Sequence, residues 1–86
     1  MIIVFDKKFK KAINKLTTGE QDRFDDQLRI FKIDSHSKLL RDHKLHGTYA
    51  GYRSINIGGD LRAIYKLLPP DTAVFVAIDT HTKLYD

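Results

Sequence analysis

Six consecutive residues near the end of the chain, Ala73-Val74-Phe75-Val76-Ala77-Ile78, carry no polar side chain. A run of this length flanked by turn residues predicts a strand covered on both faces, since a half-exposed strand alternates apolar and polar positions. Pro69-Pro70-Asp71 precedes it and forces a turn. Two further strands come just before, at about 52–57 and 61–68, with Gly58-Gly59 between them as a two-residue hairpin signal. The apolar run is therefore expected in the middle of an antiparallel sheet.

The first third of the chain has a different period. Ile2–Phe5 is β-branched and aromatic and predicts a short strand. Phe9, Ile13 and Leu16 then recur at i, i+4 and i+7, the single apolar stripe of a helix from about residue 7 to 16. Lys8, Lys11 and Lys15 lie away from that stripe. Thr17-Thr18-Gly19 interrupts, and both Thr17 with Glu20 and Thr18 with Gln21 have capping-box spacing. A second helix reaches about residue 33 with Phe24, Leu28 and Phe31 on its apolar side. The expected fold is α+β, in the order β-α-α-β-β-β. Its antiparallel sheet has the N-terminal helical hairpin packed on one face and the other face left open. At 86 residues the chain is expected to be one domain spanning 1–86, burying roughly 60–65% of the surface its unfolded form exposes.

Composition narrows the chemistry. There is no cysteine, which removes disulfides, thiolate nucleophiles and thiolate metal sites. No apolar run approaches the roughly 20 residues of a membrane span, and Ile2–Phe5 is too short for a secretory signal, so the expected location is the cytoplasm. The net charge of +4 is uneven. Residues 1–34 hold eight basic and six acidic side chains, 35–66 six and two, and 67–86 one and three. The middle stretch also contains His36, His43 and His46, so positive charge and groups that titrate near neutral pH share one region. His43 and His46 have no accompanying carboxylate motif and Gly47 follows them, so no metal and no cofactor is expected.

Strand alternation sorts the remaining polar residues. Tyr52, Ser54 and Asn56 share one face, with Arg53, Ile55 and Ile57 opposite. On the next strand Arg62, Ile64 and Lys66 share a face. His81 and Tyr85 are four apart, on one side of a helical turn. Histidine, arginine, tyrosine, aspartate and asparagine together suit cleavage of RNA by its own 2′-hydroxyl. That reaction needs a base, an acid and a cation on the phosphate, and the substrate brings the nucleophile.

Four segments, in order, resemble the RelE/ParE toxin superfamily and its YafQ-like branch in particular. They are Asp42-His43-Lys44-Leu45-His46-Gly47, Gly51-Tyr52-Arg53, Asp60-Leu61-Arg62-Ala63-Ile64-Tyr65 and Thr80-His81-Thr82-Lys83-Leu84-Tyr85. The resemblance implies the RelE-like fold and the toxin of a type II toxin–antitoxin pair. Such a toxin would be a metal-independent mRNA endoribonuclease acting on the ribosome, held in a hetero-oligomer by a cognate antitoxin protein. It implies catalytic roles for His43, Asp60, Arg62, His81 and Tyr85. His81 or His43 would serve as base or acid, Asp60 would orient a histidine or share in proton transfer, and Arg62 would stabilise the phosphorane. Tyr85 would stack on a base or position the phosphate. Arg53 and Asn56 are expected to bind substrate, Arg53 being equally readable as a structural arginine under the sheet. Lys8, Lys11 and Lys15 are expected to meet ribosomal RNA phosphates. Three positions depart from the family pattern: Asn56 stands for a histidine, Leu61 for an aromatic, and Val76-Ala77-Ile78 lacks a basic residue. Those departures keep two other readings open, a ParE-like toxin that binds a protein and cuts nothing, and a decayed toxin that keeps only antitoxin binding.

Overall fold

Ile2–Phe5 is strand β1 in the computed structural model, which describes residues 1–85 and, of Tyr85, the backbone only. Helices α1 (Lys7–Asn14) and α2 (Thr18–Ile33) follow, and a 3-10 turn at Lys38–Leu40 leads into a two-residue strand, β2 (His43–Lys44). A second 3-10 turn at Gly47–Tyr49 precedes β3 (Arg53–Gly58), β4 (Leu61–Leu68), β5 (Thr72–Thr80) and helix α3 (His81–Tyr85). The five strands form one sheet in the order β1-β5-β4-β3-β2.

The helix boundaries follow from capping chemistry. The Asp6 carboxylate accepts from the Phe9 backbone N–H at 2.8 Å and starts α1. For α2 the sequence offered two boxes, and the one formed is Thr17 with Glu20: each side chain accepts from the other's backbone N–H, at 2.9 and 3.1 Å. Gln21 does a different job. Its amide donates to the Ile13 carbonyl at 2.9 Å, adding to the backbone bonds that carbonyl already accepts and bracing the two helices.

The expected antiparallel sheet needs one correction: β1 pairs with β5 in parallel. The reason is β2, which the sequence analysis did not resolve. β2 pairs antiparallel with β3. It reverses the chain once more than a β-α-α-β-β-β order does, so β5 runs alongside β1 in the same direction. β5 is central along residues 72–75, where β1 and β4 flank it; beyond Phe75 it continues with β4 alone. The hairpin between β3 and β4 also turns one residue later than Gly58-Gly59. Gly58 pairs with Leu61, and Gly59, at φ +54, forms the turn with Asp60. Gly58 also leaves room for the Arg23 side chain, which crosses it from α2: an added Cβ would stand 2.6 Å from Arg23 Nε, and the arginine would have to shift.

The core lies between the helices and one face of the sheet. Phe75 is fully buried and its ring meets those of Phe5, Phe9, Phe24, Phe31 and Tyr65 at centroid distances of 5.2–6.3 Å. These rings come from β1, α1, α2, β4 and β5, so one side chain ties together both helices and three strands. The opposite face, expected to be open, is closed over its middle: Ser54 and Ile64 are 0% exposed. The connection from β2 to β3 folds back toward this face, bringing Tyr49 and Tyr52 into the groove that Ala77 lines.

Phe75→Ala should lower stability by about 3–5 kcal/mol, much of the total available to a domain this small. Thr17→Ala should cost only about 1 kcal/mol by losing one cap. Urea unfolding followed by far-ultraviolet circular dichroism measures both.

Candidate active site

Register places the polar residues in two rows on the sheet face away from the helices. His43 pairs with Ser54, Ser54 with Ile64, and Ile64 with Ala77. One row along, Asn56 pairs with Arg62 and Arg62 with Asp79. Side chains directly opposite in a sheet share a face, so Asn56, Arg62 and Asp79 lie side by side, and His43 is diagonal to Asn56 at about 7–8 Å between Cα atoms.

Arg62 is held in this row from several directions. Its Nη1 donates to the Asn56 side-chain oxygen at 2.6 Å, to the Gly59 carbonyl at 3.0 Å and to the Leu61 carbonyl at 3.2 Å. Among the described residues all its side-chain hydrogen bonds run through Nη1, so the guanidinium is fixed by one corner. Asn56 is itself braced, its carbonyl accepting from the Gln27 side chain of α2 at 2.8 Å.

His81 opens α3 at the end of β5, two residues beyond Asp79. Its backbone N–H donates to the Asp60 carbonyl at 2.9 Å, which docks the start of α3 on the β3–β4 turn. The side chains of His81 and Asp60 are both exposed. Tyr85 continues the same helical turn, and its side chain lies outside what is described. His43 occupies the edge strand and is exposed; its Nδ1 stands 2.9 Å from the Arg41 carbonyl. A carbonyl only accepts, so Nδ1 carries the proton and Nε2 is the basic nitrogen of the neutral ring. Across the sheet, Asn56 and Arg62 therefore lie between the two histidines.

A groove of about 480 Å³ runs beside these rows, where β5 outlasts β1. Lys8, Tyr49, Tyr52, Val76 and Asp79 are among its walls. Tyr49 and Tyr52 meet edge to face at 6.0 Å, and Lys66 Nζ lies 5.6 Å from the Tyr52 ring centroid. Lys11 and Lys15 continue the Lys8 stripe along α1 and are exposed. Among the described residues, histidines and carboxylates are nowhere gathered in threes in a way that would hold a metal ion.

Arg53, named with the substrate-binding residues, faces the other way. It pairs with Tyr65 in register and donates through Nε to Asp42 at 2.8 Å. The cause is strand alternation, which separates it from its neighbours Tyr52 and Ser54. The Tyr65 hydroxyl donates to the other Asp42 oxygen, so one carboxylate ties β3, β4 and the approach to β2 together. Burial and then the Asp42 contact push the Tyr65 phenol far above its ordinary value, with Arg53 opposing. Burial works against the Arg53 charge, but its hydrogen bond and attraction to Asp42 prevail and raise its pKa. Sequence reasoning missed the roles of Asp42, Tyr65, Tyr49 and Asp79. A tyrosine at a core position of a buried strand was the available signal, since its hydroxyl needs a partner there.

The family model described as bacterial toxin of type II toxin-antitoxin system, YafQ, matches residues 1–86. Among solved structures, YafQ from E. coli strain BL21(DE3) is similar at 19% identity, with a TM-score of 0.81 over 98% of this chain and 97% of that one. The E. coli DinJ-YafQ complex matches at 23% identity and TM-score 0.70, over 98% and 97%. The archaeal RelE-RelB complex from Pyrococcus horikoshii OT3 matches at 21% and 0.73, over 92% of each chain. These likenesses establish the fold. No curated protein matches.

The Tyr65 shift has a direct consequence. A phenol whose pKa is higher in the folded than in the unfolded state contributes stability below the unfolded value, about 10, and loses it as pH rises through the folded value. Stability should therefore fall above about pH 10, and Tyr65→Phe should flatten that alkaline slope, read by denaturant midpoints across pH.

Proposed function

The chain belongs to the YafQ family of bacterial toxins from type II toxin–antitoxin systems, and on that premise we propose that it cuts mRNA on the ribosome through the substrate's own 2′-hydroxyl. The observation that carries this reading is the tethered Arg62 guanidinium on an inner strand, with His43 on the edge strand to one side and His81 at the end of β5 to the other. An in-line displacement at phosphorus needs a proton acceptor on one side, a proton donor on the other, and positive charge between them. One histidine takes the 2′-hydroxyl proton as that oxygen attacks phosphorus. Arg62 meets the charge that builds on the phosphorane oxygens. The other histidine protonates the departing 5′-oxygen, leaving a 2′,3′-cyclic phosphate and a free 5′-hydroxyl. None of these steps calls for a metal.

Asn56 fits this scheme as a positioning group. It stands where the pattern of the family it resembles has a histidine, and an amide is neither acid nor base near neutral pH, but its oxygen orients Arg62. Tyr49 and Tyr52 offer stacking surface for unpaired bases, and Lys8, Lys11 and Lys15 offer charge for ribosomal RNA phosphates. Tyr85 and Asp60 complete the proposed set at the α3 end. The solved relatives include the DinJ-YafQ and RelE-RelB complexes. They support a cognate antitoxin protein as this chain's partner in a hetero-oligomer.

One observation favours a second reading, a toxin that arrests growth without cutting RNA. Leu61, at the position where the family pattern has an aromatic, is 4% exposed and packed in the helix-side core, so it offers nothing for a base to stack on.

Induction in a bacterial host with primer extension on a model transcript separates the readings. Cuts confined to translated message are expected. His81→Ala and Arg62→Ala should each lower cleavage roughly 10²–10⁴-fold and relieve growth arrest with the fold retained. Arrest with intact message would transfer the protein to the second reading. Saturating antitoxin should raise the melting temperature, the added stability being about 4 kcal/mol at a thousandfold excess over Kd.

A further inference from the structure

β2 is two residues long, sits at the sheet edge and is exposed, so its ladder alone holds His43 weakly. Three other contacts fix it. The Asp42 side chain, 11% exposed, accepts from Arg53 Nε at 2.8 Å and from the Tyr65 hydroxyl. Arg53 and Tyr65 face each other across β3 and β4, so the carboxylate is clamped to two inner strands at once. On the other side of the histidine, Arg41 adopts a left-handed conformation, φ 49 and ψ 42, and turns its carbonyl toward His43 Nδ1. A non-glycine residue holds that conformation only when its surroundings impose it.

Successive residues of a strand point to opposite faces. Anchoring Asp42 on the helix side therefore presents His43 on the other side, the face that carries Asn56 and Arg62. From this arrangement we propose that Asp42, Arg53 and Tyr65 are positioning residues that fix the orientation and tautomer of His43 from the opposite face of the sheet. The proposal rests on reading His43 as a reacting group. It assigns Arg53 to His43 rather than to the substrate, and gives the Asp42-His43 pair a division of labour in which the carboxylate never meets RNA.

The test reads the histidine itself in the full chain. Nitrogen chemical shifts of the imidazole rings at alkaline pH report which nitrogen carries the proton. In the parent protein His43 should be in the Nδ1–H form, whereas a free imidazole side chain favours the proton on Nε2. Tyr65→Phe, which keeps the ring in the core, and Asp42→Asn, which keeps the shape, should each move His43 toward the free-imidazole distribution while the other histidines stay unchanged. In cleavage assays the same variants should lower kcat about tenfold or more and leave KM within twofold. Arg53→Lys, which keeps the charge, should restore part of the Nδ1–H population that Arg53→Met loses. An Nε2–H tautomer in the parent protein would overturn the proposal. So would an unchanged His43 signal in folded Tyr65→Phe or Asp42→Asn. A shifted tautomer in a protein whose parent cuts no RNA would uphold the positioning role and remove His43 from catalysis.

Discussion

The extra residue in β5 decides which side chains reach which face. Ile64 pairs with Ala77 and Tyr65 with Phe75, so Val76 has no partner across the ladder. Without that bulge, strict alternation would put Ala73, Phe75, Ala77 and Asp79 all on the helix side. With it, Ala73, Phe75 and Ile78 face the core while Ala77 and Asp79 turn outward, Asp79 beside Arg62. The aromatic cluster around Phe75 needs the first half of the strand to point inward, and the polar row needs the second half to point out. One bulged residue satisfies both demands within nine residues of strand.

This also explains why the apolar run was legible as a strand but not in its details. A strand that changes phase loses its alternation, so Ala73–Ile78 reads as covered on both sides. In fact Val74, Val76 and Ala77 are only half-buried. The helices were easier, because Phe9 and the Phe24, Leu28 and Phe31 stripe keep one period throughout and both caps use local side-chain chemistry. β2 was invisible for the opposite reason. Two residues show no period, and their pairing depends on Asp42, Arg53 and Tyr65, which are far apart in the chain. Missing β2 made the direction of β1 wrong as well, because every reversal counts toward the parity of the strands.

The candidate site follows the same division. Alternation within one strand was legible, and Asn56 and Arg53 do face opposite ways; that Asn56 sits beside Arg62 comes from the register between strands. What alternation cannot supply is the third dimension. The segment between β2 and β3 reaching the groove beside Ala77, and α3 docking through the Asp60 carbonyl, are set by contacts between distant segments.

The proposed chemistry depends on this mixture of rigid and peripheral placement. Arg62 and Asn56 sit on inner strands, braced by Gln27 from α2, and a cation held in this way pays no reorganisation when charge develops beside it. The two imidazoles lie at the margins, on the shortest strand and on a five-residue helix. Proton transfer groups at the edge can meet a substrate that arrives inside a much larger particle, which a buried pair in a domain this small cannot do. The cost is that each margin needs its own anchor, the Asp42 clamp for one and the Asp60 carbonyl for the other. An antitoxin that loosened either anchor would disarm the site as surely as one that filled the groove.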